Sequence, residues 1–94
     1  MFEIRSLPDG STHLVGRLDA SEVDQARRAL EALSGPLTLD CSRLDYISSA
    51  GIGLLVETYK RLHAAGHAFR LVNLLPRVRN VFAYAGLDRI LTLE

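Results

Sequence analysis

The sequence predicts an α/β domain: a mixed four- to five-stranded sheet with helices packed mainly on one face. Three observations carry this. Apolar residues alternate with period two in short runs and recur with helical spacing in three longer ones. Glycine or proline punctuates most of the junctions. The resulting order is β-β-α-β-α-β-α-β, and strands separated by single helices imply parallel neighbours joined by right-handed crossovers. Ninety-four residues suit one such domain and are too few for two, so 1–94 reads as a single unit.

Phe2, Ile4 and Ser6 alternate with Glu3 and Arg5, which predicts a half-buried strand. Pro8-Asp9-Gly10-Ser11 is a turn, because proline fixes φ and glycine supplies a positive one. A second strand over His13 to Leu18 then completes an antiparallel hairpin. Ser21 reads as the N-cap of the first helix, with Glu22 and Asp24 placed well against its positive end. Val23, Ala26, Leu30 and Leu33 form its buried stripe, and Gly35-Pro36 stops it. Leu37, Leu39 and Cys41 predict a short strand that ends at Asp40-Cys41 and gives way to a polar connection. A helix over 50–65 puts Ile52, Leu55, Val56, Tyr59 and Leu62 on one face, and Gly66 terminates it. A strand over 68–73 follows. Pro76 starts a third helix with Val78, Val81, Phe82 and Ala85 inward, closed by Gly86, and Ile90 to Leu93 form a last strand.

Composition excludes several function classes. Eleven basic residues balance eleven acidic ones, so the electrostatic footprint of a nucleic-acid binder is missing. Arg27-Arg28 and Lys60-Arg61 read as solvated helix faces. Cys41 is the only cysteine, which rules out an intramolecular disulfide and leaves no zinc-ligand spacing. The first residues do not look like a secretory signal, and no apolar run approaches the roughly 18 residues that span a bilayer. The expectation is a cytoplasmic protein with no membrane insertion.

Catalytic patterns fare poorly. Ser49 does not sit in Gly-x-Ser-x-Gly, because position 47 is Ile47. His13, His63 and His67 have no metal spacing, and Gly10, Gly16 and Gly35 build no phosphate loop. No enzyme, cofactor or metal is expected. The informative stretch is Asp40 to Gly53, which delivers two hydroxyls and a glycine to the first turn of the second helix. A hydroxyl there lies in the positive field of the helix N-terminus and can carry a phosphate without breaking the helix. Either Ser48 or Ser49 could equally serve only as a cap. Gly51 suits close approach by a partner or close packing against a strand. Asp19 reads as a rim residue or as a helix cap, Asp40 as an orienter of the loop or as a solvated strand end, and Tyr46-Ile47 as anchors of the loop to the core. Ile52 and Leu54 lie at different helix angles, which nominates Leu54 for partial exposure.

Asp40-Cys41-Ser42 followed by Ser48-Ser49-Ala50-Gly51 resembles the signature loop of STAS domains, and of stand-alone bacterial anti-sigma factor antagonists in particular. Gly16-Arg17-Leu18-Asp19 is similar to that family's Gly-x-Leu-Asp loop, and Val78 to Leu87 to its third helix. The resemblance implies a switch without catalysis. The unmodified protein binds a GHKL-type serine kinase that is also the anti-sigma factor; phosphorylation releases it, and a serine phosphatase reverses the change. It maps the acceptor onto Ser49, the partner-binding surface onto Gly16, Arg17, Leu18, Asp19, Ser48, Ser49, Ala50, Gly51, Ile52 and Leu54, and the loop-orienting role onto Asp40 and Ser42. Ser48 stands where many members have aspartate, Ala50 where many have a second hydroxyl, and the family's final helix is not seen after the last strand. The family also implies an alternative, a cytosolic accessory subunit of a lipid-transport ABC complex.

Overall fold

The structure, a computed structural model, describes residues 1–94 apart from the side chain of Thr92. Strands β1 (Phe2–Ser6) and β2 (Thr12–Leu18) form the antiparallel hairpin. Gly10, at φ +88°, closes its turn, donating from its N–H to the Leu7 carbonyl at 2.9 Å. Strands β3 (Leu37–Ile47), β4 (Phe69–Val72) and β5 (Thr92–Leu93) each add in parallel to the strand before, so the sheet runs β1-β2-β3-β4-β5. Helices α1 (Val23–Glu31), α2 (Ser49–Ala64) and α3 (Pro76–Tyr84) are the crossovers. Every crossover steps in the same direction along the sheet, so right-handedness puts all three helices on one face. Leu14, Leu18, Leu39, Leu44 and Leu71 on the strands meet Leu30, Leu55, Leu62 and Phe82 on the helices, all essentially inaccessible to solvent.

The main departure from the sequence reading is β3. It does not stop at Cys41 but runs on to Ile47, eleven residues in all from Leu37, so the expected polar connection is strand. The register explains the error. His13 pairs with Asp40 but Val15 with Arg43, and Gly16 pairs with Leu44 but Arg17 with Tyr46. Each step inserts one extra residue in β3, which is what a β-bulge does. The buried positions therefore run Leu39, Cys41, Leu44, Ile47, and strict alternation is lost. Asp40 is thus a mid-strand residue rather than a strand end.

Smaller corrections follow from caps and ends. The capping side chain is Asp19, not Ser21, and it caps a turn ahead of the first helix rather than the helix itself: its Oδ1 accepts the Ser21 N–H at 3.1 Å and the Ser21 hydroxyl at 2.6 Å. The chain then makes a single 3-10 turn, Ala20–Glu22, before α1 begins. Val81 faces outward at 38% exposure, and Ile90 is outside β5 because a 3-10 turn at Leu87–Arg89 delays that strand.

The sheet face away from the helices is polar. His13 lies with Nε2 3.0 Å from the Ser11 hydroxyl and Nδ1 3.8 Å from Asp40 Oδ1. The sequence reading did not foresee this serine–histidine–aspartate contact. The Ser11 hydroxyl is committed to Asp9 Oδ1 at 2.6 Å, so it is not poised as a nucleophile. Among the described residues no group of three or more His, Cys, Asp or Glu converges as a metal site, and no helix is long and apolar enough to cross a membrane.

Candidate functional site

The C-terminal ends of the parallel strands lead into the N-termini of the helices, and β1 brings Met1 to the same end beside Gly16. Here the residues singled out in the sequence come together, though in different roles. The junction between β3 and α2 is fastened to β2 by the Ser48 N–H, which donates to the Leu18 carbonyl at 2.9 Å. Ser48 is the N-cap of α2. Its backbone is extended, and its hydroxyl accepts the Gly51 N–H at 3.1 Å. That satisfies one of the orphan donors of the first turn.

Ser49 is the first helical residue and, with Ala50, is exposed. Its hydroxyl makes no hydrogen bond among the described residues. The two serines therefore divide the work: one holds the helix, and the other faces solvent. Gly51 is buried. A Cβ placed there would lie 2.9 Å from Ile47 Cγ1, from Leu18 Cγ and from the Leu18 carbonyl oxygen. Of the two readings open for Gly51, the structure selects packing.

Four of the residues mapped to the partner surface cannot touch a partner directly. Leu18 is fully buried beneath the junction, Leu54 is 2% exposed on the inner side of α2, and Gly51 and Ile52 are also buried. Leu54 is hidden because α1 packs alongside α2 and covers the angle left open by the sheet. Gly16 is half-buried at φ +99°, and a Cβ there would lie 2.2 Å from the Met1 carbonyl oxygen. Its role is to let the N-terminal strand pass, with the Arg17 N–H donating to that same oxygen at 2.9 Å. The exposed remainder is Arg17, Ser49 and Ala50, with Asp19 and Ser48 partly covered.

Asp19 is held below its ordinary pKa, first by the hydrogen bond from the Ser21 hydroxyl and further by the N-terminal ammonium and Arg17. It is both a cap and a rim residue. Asp40 and Ser42 do not orient the loop around Ser49. The Asp40 carboxylate accepts the Ser42 N–H at 2.8 Å and the Asn73 side-chain amide at 3.0 Å, so it fixes the first bulge and the end of β4. Asp40 lies seven strand residues before Ile47 and Ser42 five, well short of the junction with α2. Burial raises the Asp40 pKa, but Ser42, Asn73 and His13 together outweigh that and leave it lowered.

Two rim features differ from or escape the sequence reading. Tyr46 does not anchor a loop in the core. It is 39% exposed, and the Arg17 guanidinium lies 4.4 Å from its ring centroid. Arg77, in the first turn of α3, donates from Nε to the Asp45 carbonyl at 3.1 Å and approaches the Asp45 carboxylate at 3.6 Å. The register past the bulges creates both contacts, and it is invisible without knowing where the bulges fall.

Comparison with known proteins identifies the family and the fold. A family model described as "Mlab, STAS domain" matches residues 7–93. BtrV of Bordetella bronchiseptica, described as a candidate anti-sigma factor antagonist, is 37% identical over 67 residues, 71% of this chain and 52% of BtrV. The chain thus spans about half the length of that curated relative. Among solved structures, unphosphorylated SpoIIAA, an anti-sigma factor antagonist, superposes with a TM-score of 0.77 at 24% identity, over 100% of this chain and 88% of its own. The phosphorylated form of Bacillus SpoIIAA gives 0.69 at 23% identity, over 100% of this chain and 91% of its own. With the family model covering four of the five strands and all three helices, the chain belongs to the STAS domain family.

Proposed function

We propose that this protein is an anti-sigma factor antagonist, a binding switch rather than an enzyme, controlled by phosphorylation at Ser49. In this reading a serine-kinase anti-sigma factor docks on the rim formed by Arg17, Asp19 and Ser48–Ala50. Phosphate on Ser49 then releases it, and a serine phosphatase resets the switch. The division of labour between the serines carries the proposal: the Ser48 hydroxyl is spent on the Gly51 N–H, while the Ser49 hydroxyl is exposed and unspent. The resemblance to BtrV, and to a SpoIIAA known with and without phosphate, supports the same assignment.

The physics favours a change of surface over a change of fold. Phosphorylation adds about −1.5 to −2 charges. At the first residue of α2 the phosphate oxygens have unbonded backbone N–H groups and the positive dipole end nearby, so the free protein bears the charge without distortion. Under a docked partner the charge must shed water, and an unpaired buried charge costs several kcal/mol, which is orders of magnitude in affinity.

Affinity capture from the native cell with the wild type and Ser49→Asp, read by mass spectrometry, tests this. A serine kinase captured by the wild type and lost with Ser49→Asp is the expected result. Equal capture of an ABC-transporter ATPase by both would overturn it in favour of a transport accessory role, with Ser49 no more than a surface residue.

A further inference from the structure

We infer that the open edge of β1 pairs with the same edge of a second copy of this chain, antiparallel about Ile4, to give a two-fold dimer with one continuous sheet.

Strands β1 and β5 are the two edges of the sheet, and they differ. β5 is two residues long, and so short an edge offers little for another chain to pair with. β1 is five residues long and has no proline, and its register against β2 is unbroken from Phe2 opposite Gly16 to Ser6 opposite Thr12. The bulges and prolines that blunt many natural edges are therefore missing from it. Its backbone groups can be sorted by side. The Met1 carbonyl accepts the Arg17 N–H, and the Leu7 N–H donates to the Ser11 carbonyl, so the odd-numbered residues turn toward β2. Antiparallel pairs alternate, so Phe2, Ile4 and Ser6 turn their N–H and C=O groups outward. There they meet no other strand among the described residues.

The strand Phe-Glu-Ile-Arg-Ser selects its own copy as the occupant. Pairing about Ile4 sets Ile4 against Ile4, Phe2 against Ser6, and Glu3 against Arg5 on both sides of the axis. All three outward residues of each strand then exchange hydrogen bonds with a residue of the same outward set. Moving the axis to Glu3 or to Arg5 loses one of those pairings and puts like charges directly opposite, which is unfavourable. Within one copy Arg5 donates to Glu3, but both side chains stay about half exposed. The two pairs can therefore close into one ring of alternating charge across the axis. On the opposite face of the sheet Phe2 and Ile4 share a hollow of about 170 Å³ with Gln25, Ala26 and Ala29 of α1. The second Ile4 arrives on that same face, beside helix residues that are short or uncharged. Because the paired strands run in opposite directions, the two Ser49 rims lie at opposite ends of the joined sheet, and neither is covered.

The test is sedimentation equilibrium of the purified protein from micromolar to millimolar concentration, where a reversible monomer–dimer equilibrium is expected. Glu3→Arg and Arg5→Glu should each weaken self-association by about tenfold while melting within a few degrees of the wild type. An equimolar mixture of these two variants should associate as tightly as the wild type, because opposite charges again face each other across the edge. Tyr84→Ser, which removes a ring that is 94% exposed on α3, should leave the equilibrium unchanged. A monomer at every concentration, a dimer indifferent to both charge variants, a mixture no tighter than its components, or loss of the dimer with Tyr84→Ser would overturn the inference. None of these outcomes bears on the loss of a kinase with Ser49→Asp, so the dimer and the switch stand or fall separately.

Discussion

Gly51→Ala is the substitution that tests the packing of the β3–α2 junction most directly, and Gly53→Ala is its internal control. Both glycines lie in the first half of α2, so alanine should improve both by helix propensity, worth about 0.5–1 kcal/mol. Their surroundings differ. A Cβ at Gly53 meets nothing within 4 Å, whereas at Gly51 it meets three heavy atoms at 2.9 Å. One of these is the Leu18 carbonyl oxygen, which accepts the Ser48 N–H and cannot rotate aside. The other two belong to the buried side chains of Leu18 and Ile47. Overpacking of this kind costs about 1–3 kcal/mol. Gly53→Ala should therefore stabilise by up to about 1 kcal/mol and Gly51→Ala destabilise by about 1 kcal/mol net, a gap of about 2 kcal/mol. At about 4–8 °C per kcal/mol for a domain of this size, the melting temperatures should separate by about 8–16 °C. Urea titration followed by circular dichroism gives the free energies. If Gly51→Ala is as stabilising as Gly53→Ala, the junction is looser than its geometry implies and Gly51 returns to the list of surface residues. The same crowding means that any larger side chain at position 51 would disrupt the junction itself.

Ser48→Ala should cost about 1 kcal/mol through loss of the α2 cap, and Ser49→Ala less than about 0.5 kcal/mol, both read from urea midpoints; equal costs would refute the division of labour between the serines. Gly16→Ala combines a positive φ with a 2.2 Å clash on the Met1 carbonyl, so it should be severely destabilising, and a normal melt would show that the N-terminal strand can move aside. The pKa of Asp40 is lowered from 3.8, so the stability it lends is present above that value and lost as the pH falls through the folded-state value. Acid unfolding should therefore begin at higher pH in Asn73→Ala, which removes one of the bonds that lower it, and an unchanged acid limb would count against this. Burial pushes the Cys41 thiol up to about 12, so a thiol reagent should label it only in denaturant; rapid labelling of the native protein would mean that β3 opens locally.

Most of the architecture was legible because its elements are local. Helices α1 and α2 declare themselves by spacing, and Gly66 and Gly86 end α2 and α3 at φ +82° and +72°. The hairpin turn follows from Pro8 and Gly10. What failed was non-local. Two bulges shift the buried positions of β3 from a spacing of two to one of three, and no single-strand pattern distinguishes that from a loop with hydrophobic anchors. Leu54 reads as partly exposed from α2 alone and is buried because α1 lies beside it. Tyr46 reads as a core anchor and faces outward because the second bulge rotates it.

The bulges also bear on the site. Each extra residue in β3 advances its end relative to β2, and the two together bring Ile47 level with Leu18. That register lets the Ser48 N–H reach the Leu18 carbonyl, which fixes where α2 begins. A helix starting there spends the Ser48 hydroxyl on its cap and leaves the exposed Ser49 hydroxyl without a hydrogen bond among the described residues.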